Sequence, residues 1–201
     1  MAPGAEWMAP DPVGGAPGDR SRCVMQNRVL VAYGTHHGAT QGIAERIAAS
    51  LRAHQVDATA IPVESVHNAA GYDGYVIGSA VYATHWLGSV KSFVHRNRAL
   101  LKHHPVWLFS SGPLSNDPCE LTEATPREVA DIERDVEARG HLVFAGAWDR
   151  GAKPIGLLER AMSVIPAARD ALPAADYRDW NAIDAFASSI AGELELALET
   201  A

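Results

Sequence analysis

The chain has 201 residues, 47% of them hydrophobic and 20% charged, enough for one domain with a substantial core and short for two. Its formal net charge of −7 gives no support to a nucleic-acid or anionic-membrane role, and no run approaches the roughly 20 apolar residues a membrane span needs. Two isolated cysteines, Cys23 and Cys119, in segments that read as tail and loop, make neither a disulfide framework nor a metal cluster, so a reducing, cytoplasmic setting is expected.

Residues 1–26 are rich in Pro, Gly and Ala without apolar periodicity and read as a disordered tail lacking the features of a secretory signal. The expected domain runs from residue 27 to 199. Val29-Leu30-Val31-Ala32-Tyr33 is a short continuous apolar run, the mark of a strand buried on both faces. Past a Gly-containing loop, Ile43, Ile47 and Leu51 recur every fourth residue beside Ala44 and Ala48, one face of a helix. Further strands are expected at Asp57–Pro62, Gly74–Gly78, Pro105–Phe109 and Leu142–Gly146. Helices are expected at about Leu87–Lys102, at Pro126–Arg139 with Pro126 in the first turn, and where Ile183, Phe186, Ile190 and Leu194 form one stripe.

Strands alternating with helices imply an α/β fold with a parallel sheet covered on both faces. Five such strands fit a three-layer sandwich of doubly wound order 2-1-3-4-5, in which ligands sit beyond the carboxyl ends of the strands. The loops after the first, third and fourth strands are therefore the ones expected to carry function.

The first of these, Gly34-Thr35-His36-His37-Gly38-Ala39-Thr40, joins a buried strand to a helix. Unpaired N–H groups and the partial positive charge of a helix N-terminus favour a phosphate there, Thr35 and Thr40 add hydroxyls, and Gly38 permits close approach or a left-handed backbone. On loop chemistry alone a plain turn capped by Thr40 is the alternative. The loop has no Lys-Ser/Thr end, as a Walker loop requires, and no G-x-G-x-x-G; Glu64 stands where a ribose-binding acid would, without the glycines it would accompany. The strand ends Tyr33-Gly34 and Gly78-Ser79 lack the carboxylates of a response regulator.

The stretch Thr35 to Thr40 resembles the flavodoxin phosphate loop, T/S-x-T-G-x-T, with matches at Thr35, Gly38 and Thr40 and with His37 replacing the middle Thr. The resemblance implies an FMN cofactor, its phosphate held by Thr35, His36, His37, Gly38, Ala39 and Thr40. It places Ser79, Ala80, Val81 and Tyr82 beside the flavin, their backbone at its polar edge and Tyr82 at the position of the flanking aromatic; Ser111 and Gly112 suit close backbone approach to the ligand, with an ordinary turn as the alternative. Trp86 is a second candidate at the rim, with packing into the core as its alternative. Flavodoxins usually place a second aromatic after the fourth strand; none occurs between Ser110 and Glu120, which implies a less covered flavin face.

Over about Val29 to Leu196, the segments Val143–Ala147, the stretch to Pro166 and Tyr177–Trp180 leading into Phe186-Ala187 look like the menaquinone-dependent protoporphyrinogen dehydrogenase branch of flavodoxin-like proteins. That branch passes electrons from a porphyrinogen to a quinone. The apolar stripe of Lys153–Ala168 stands where the branch has a helix thought to approach membrane and substrate; packing on its own sheet is the preferred reading, so membrane contact is at most peripheral. An FMN-dependent oxidoreductase is thus the leading expectation, with quinone or a redox protein as partner. A flavodoxin-type electron carrier is the alternative, and a domain that has lost flavin is a third reading. The flavin does the redox chemistry, so no catalytic side chain is expected. Neither His36-His37 nor His103-His104 is read as a metal site. His85 is read as an exposed loop histidine before a proton donor, and the cations Lys91, Arg96, Arg98 and Lys102 with His95 as a solvated helix face before a docking surface.

Overall fold

Val29 to Tyr33 are almost wholly buried because their strand lies at the centre of a sheet with both faces covered. A computed structural model describes residues 27–148 and 175–199; the tail 1–26 and the stripe Lys153–Ala168 lie outside the described residues. In chain order the elements are β1 (Arg28–Gly34), α1 (Ala39–Ala53), β2 (Asp57–Pro62), a 3-10 turn (Val63–Ser65), β3 (Gly74–Tyr82), β4 (His85–Trp86) and α2 (Gly88–Leu101). They continue with β5 (Val106–Ser111), α3 (Pro118–Glu123), α4 (Val129–Val136), β6 (Gly140–Phe144), β7 (Ala147–Trp148), β8 (Ala175–Asp176) and α5 (Trp180–Glu199).

The parallel strands run β2-β1-β3-β5-β6, the doubly wound order expected, and β4 adds a short antiparallel strand to β3. Period-2 alternation sends the strand side chains to two cores. On one face Val29, Val31, Tyr33, Val76, Trp107 and Phe109 meet Ile43, Ile47 and Leu51 of α1 and Ile183, Phe186, Ile190 and Leu194 of α5. On the other, Leu30, Ala32, Tyr75, Ile77, Val106 and Leu108 meet Val90, Phe93, Val94 and Leu101 of α2 and Val129 and Val136 of α4. The result is three layers, helices on each side of the sheet.

Four boundaries differ from those expected. Strand β3 continues through Ser79 to Tyr82, because its backbone pairs with β1 and β5 as far as Ser79 and Ala80 (Gly34↔Ser79, Ala80↔Ser111) and then with β4 at Val81 and Tyr82, whatever the side chains. Strand β5 likewise takes in Ser110 and Ser111. Strand β6 starts at Gly140 and ends at Phe144, so Gly146 lies beyond it. Helix α4 is shorter than Pro126–Arg139: Pro126 stands in a preceding turn whose carbonyl accepts Val129 N–H at 3.1 Å. Cys119 is exposed, in α3 rather than in a loop.

Candidate functional site

The carboxyl ends of β1, β3, β5 and β6 converge on one open cleft. Its lining comprises Thr35, His37, Ala39 and Thr40 from the first loop, and Ala80, Val81 and Tyr82 from the end of β3. Ser111, Gly112 and Leu114 follow from β5, then Gly146 and Ala147 from beyond β6. The last two loops are tied together, Gly112 N–H donating to Phe144 O at 3.0 Å and Gly146 N–H to Pro113 O at 2.8 Å.

At the first loop Gly38 takes φ +85°, a left-handed conformation that an L side chain would strain, and so turns the chain into α1. Thr35 Oγ1 accepts Gly38 N–H at 3.0 Å, which braces the turn and leaves the hydroxyl hydrogen free to donate. The expected turn capped by Thr40 does not form: the N-cap is Gly38, without a side-chain cap, and Thr40 lies inside the first helical turn. The first intrahelical bond is Gly42 N–H to Gly38 O at 3.0 Å, so the N–H groups of Ala39, Thr40 and Gln41 precede the ladder. No acidic residue stands in that turn to occupy its positive end. Thr40 is buried, and among the described residues its Oγ1 is the buried side-chain oxygen with no hydrogen-bond partner. Buried hydroxyls are normally satisfied, so the arrangement calls for an acceptor or donor from a ligand at this helix end.

Of the residues expected at the site, His36, Gly38 and Ser79 fall outside the lining. His36 packs edge-to-face on Tyr82, ring centroids 4.9 Å apart, and Tyr82 is 37% exposed at the lip. Ser79 is fully buried, its hydroxyl donating to Ala80 O at 2.8 Å and accepting Leu87 N–H at 3.0 Å. Trp86 is a core residue rather than a rim aromatic: it is 2% exposed and its Nε1–H donates to Ser110 Oγ at 2.8 Å. Ser110 Oγ in turn lies 2.8 Å from His141 Nε2, and burial pushes the His141 pKa down to about 4. Burial thus favours the neutral ring, which bonds to the Ser110 hydroxyl through Nε2. Leu114, Gly146 and Ala147 also line the cleft; Gly146 falls inside the fifth strand expected from sequence, and all three meet only through strand order.

His85 lies in β4, its side chain 58% exposed, and Nδ1 donates to Glu128 Oε2 at 3.0 Å. Glu128 Oε1 accepts Trp86 N–H at 2.9 Å and Lys91 Nζ at 3.3 Å. Burial by itself pushes the Glu128 carboxyl up. The bonds from His85, from its own backbone N–H, from Trp86 and from Lys91 outweigh that and hold it at about 2. Arg98 of α2 and Lys102 just beyond it also meet acids of α4 and its C-terminal cap, Arg98 with Asp135 at 2.9 Å and Lys102 with Glu137 at 3.9 Å, so part of the basic face is neutralised within the fold.

Doubly wound topology, a strand–loop–helix turn after β1 and a cleft beyond the carboxyl ends of the strands define an α/β protein of the kind that takes ligands at the switch of strand order. A flavodoxin domain model matches residues 30–162, and the chain belongs to that family. The rubredoxin oxygen:oxidoreductase of the anaerobe Desulfovibrio gigas matches 86% of this chain at 14% identity with a TM-score of 0.57; this chain spans 37% of that one's length. A flavodoxin from the domain Archaea matches 84% of this chain and 99% of its own at 14% identity, TM-score 0.51. At these identities both show the fold alone. No curated protein matches the chain significantly.

Flavodoxin domains bind FMN, and this is the cofactor of the family to which the chain belongs. The residues present fit it. The partnerless Thr40 hydroxyl, the braced Thr35 hydroxyl and the uncapped helix end suit a phosphate, and the cleft leads from them past Ala80 to Tyr82 toward Ser111 and Gly112.

Proposed function

We propose that the chain is an FMN-dependent oxidoreductase that exchanges electrons with a planar substrate over an open flavin face. The observation that carries this reading is the asymmetry of the cleft: Tyr82 is the half-exposed aromatic on one side, while the opposing loop offers Ser111, Gly112 and Leu114 with no aromatic. When bound, FMN supplies the redox chemistry. The chain's own part is to bind and orient it. Thr35, Thr40 and the N–H groups at the start of α1 hold the phosphate, with His36, His37, Gly38 and Ala39 shaping the loop around it. Tyr82 would pack against the ring, and the backbone at Ala80, Val81, Ser111 and Gly112 would hold its polar edge. Leu114 gives the uncovered side an apolar floor against which a planar molecule can lie.

The resemblance to menaquinone-dependent protoporphyrinogen dehydrogenases supplies the finer reading: protoporphyrinogen IX as the electron donor and a quinone as the acceptor, serving heme biosynthesis. The purified protein is expected to be yellow, or to quench FMN fluorescence on titration; a colourless preparation that does neither overturns the proposal. Anaerobic mixing with protoporphyrinogen and a menaquinone analogue should then yield porphyrin fluorescence. Reduction of a protein acceptor with no turnover of either small molecule would assign the chain as an electron carrier instead.

A further inference from the structure

We infer that Glu128 is a positioning residue for the flavin ring, acting through the hairpin that carries Tyr82; this rests on the reading of the cleft as an FMN site. Strands β3 and β4 pair Val81 with Trp86 and Tyr82 with His85, which leaves only Ala83 and Thr84 to make the turn. Both are left-handed, φ +47° and +64°. A two-residue hairpin with positive φ at both central positions is the arrangement that Asn-Gly or Gly-Gly adopts readily. Alanine, and still more the β-branched threonine, disfavours it. Local sequence therefore does not make this turn, and contacts from elsewhere must hold it.

Those contacts converge on the returning limb. Trp86 is buried and anchored to Ser110 through its indole, and Leu87 N–H is held by Ser79 Oγ. Glu128, which immediately precedes α4 and lies 42 residues from Trp86, closes the remaining side. One carboxylate oxygen takes Trp86 N–H and Lys91, the other takes His85, the residue opposite Tyr82. Glu128 itself does not line the cleft. Without its carboxylate the strained turn can relax and Tyr82, at the lip, loses its fixed place against the ring. Glu128 bonds to no residue of the phosphate loop, which meets the hairpin where the His36 and His37 rings lie against Tyr82.

The test uses the full chain and compares FMN with riboflavin, which has the ring but no phosphate. Glu128→Ala should raise the Kd of both by the same factor, on the order of tenfold, the loss expected when a charge-assisted anchor goes. Adding Ala83→Asn and Thr84→Gly should return both affinities to within about twofold of wild type, because a turn favoured by its own residues needs no latch. Should Glu128→Ala fail to fold, Glu128→Gln, which keeps the Trp86 bond and the shape, should show a smaller loss repaired by the same turn. Lower thermal stability with unchanged Kd values, or affinity that the turn residues do not restore, would overturn the role of Glu128. Wild-type protein that binds neither ligand would instead overturn the FMN reading, and this inference with it.

Discussion

A buried hydroxyl without a partner costs the free protein about 1–3 kcal/mol of desolvation, and Thr40 carries one at the start of α1. Stability and binding should therefore respond to its removal with opposite signs. Thr40→Val keeps the shape and is expected to leave the ligand-free protein as stable or up to about 1 kcal/mol more stable, while weakening FMN about tenfold. Urea unfolding and fluorescence titration on the same preparation check the two halves, and riboflavin affinity should not change. His141 yields a second expectation, in pH. Its pKa falls from 6.5 in the unfolded chain to about 4 in the fold because of burial. The unfolded state therefore binds the extra proton first, and stability falls as pH drops through that window. Glu128 acts lower: its depressed carboxyl contributes stability above pH 4.5 that is lost toward about 2. Urea midpoints measured between pH 7.5 and 4 should decline in wild type and decline less in His141→Gln.

At the scale of elements, the sheet is so closely built that one glycine has no room for a methyl group. A Cβ on Gly78 would land inside the Phe109 ring, which is fully buried on the α1 and α5 face of the sheet. Gly78→Ala should cost about 1–3 kcal/mol, more if the ring cannot shift, and Ile190→Ala on α5 about 2–5 kcal/mol from the cavity left behind. Both are read from denaturant midpoints with unchanged slopes. The same burial explains what was legible in the sequence. Val29–Tyr33 and the runs at Gly74 and Pro105 stand out as continuous apolar segments because both faces of the central sheet are covered. The start of β6 is hard to read because it is an edge strand, only partly buried from Gly140 to Val143, and opens with a glycine and a histidine. Ser79–Tyr82 was read as loop because backbone pairing, not side chains, extends β3. The Thr35–Thr40 cradle was legible because its parts are contiguous. Leu114, Gly146 and Ala147 come together only through strand order. Glu128 reaches the hairpin across 42 residues, a spacing that no local pattern records.

At the scale of the whole molecule, a ligand that binds only the folded state stabilises all of it. FMN at 100 times its Kd should add about 2.7 kcal/mol, which for a domain of this size raises Tm by roughly 5–10 °C. A thermal melt with and without FMN checks this, and an equal shift in Thr40→Val at the same concentration would contradict the cradle.

Helix α5 has a consequence for how the chain comes to be folded. It packs on α1, and the ion pair Arg46–Asp184 joins residues 138 apart, so the core on that face of the sheet is completed only once α5 has been made. Synthesis runs from the N-terminus at about 5–20 residues per second, so roughly 7–28 seconds separate the making of Arg46 from that of Asp184. Through that interval Ile43, Ile47, Val76 and Phe109 lack the roof that α5 provides. The nascent chain can complete the α2 and α4 face early, while this apolar side stays open until α5 is made.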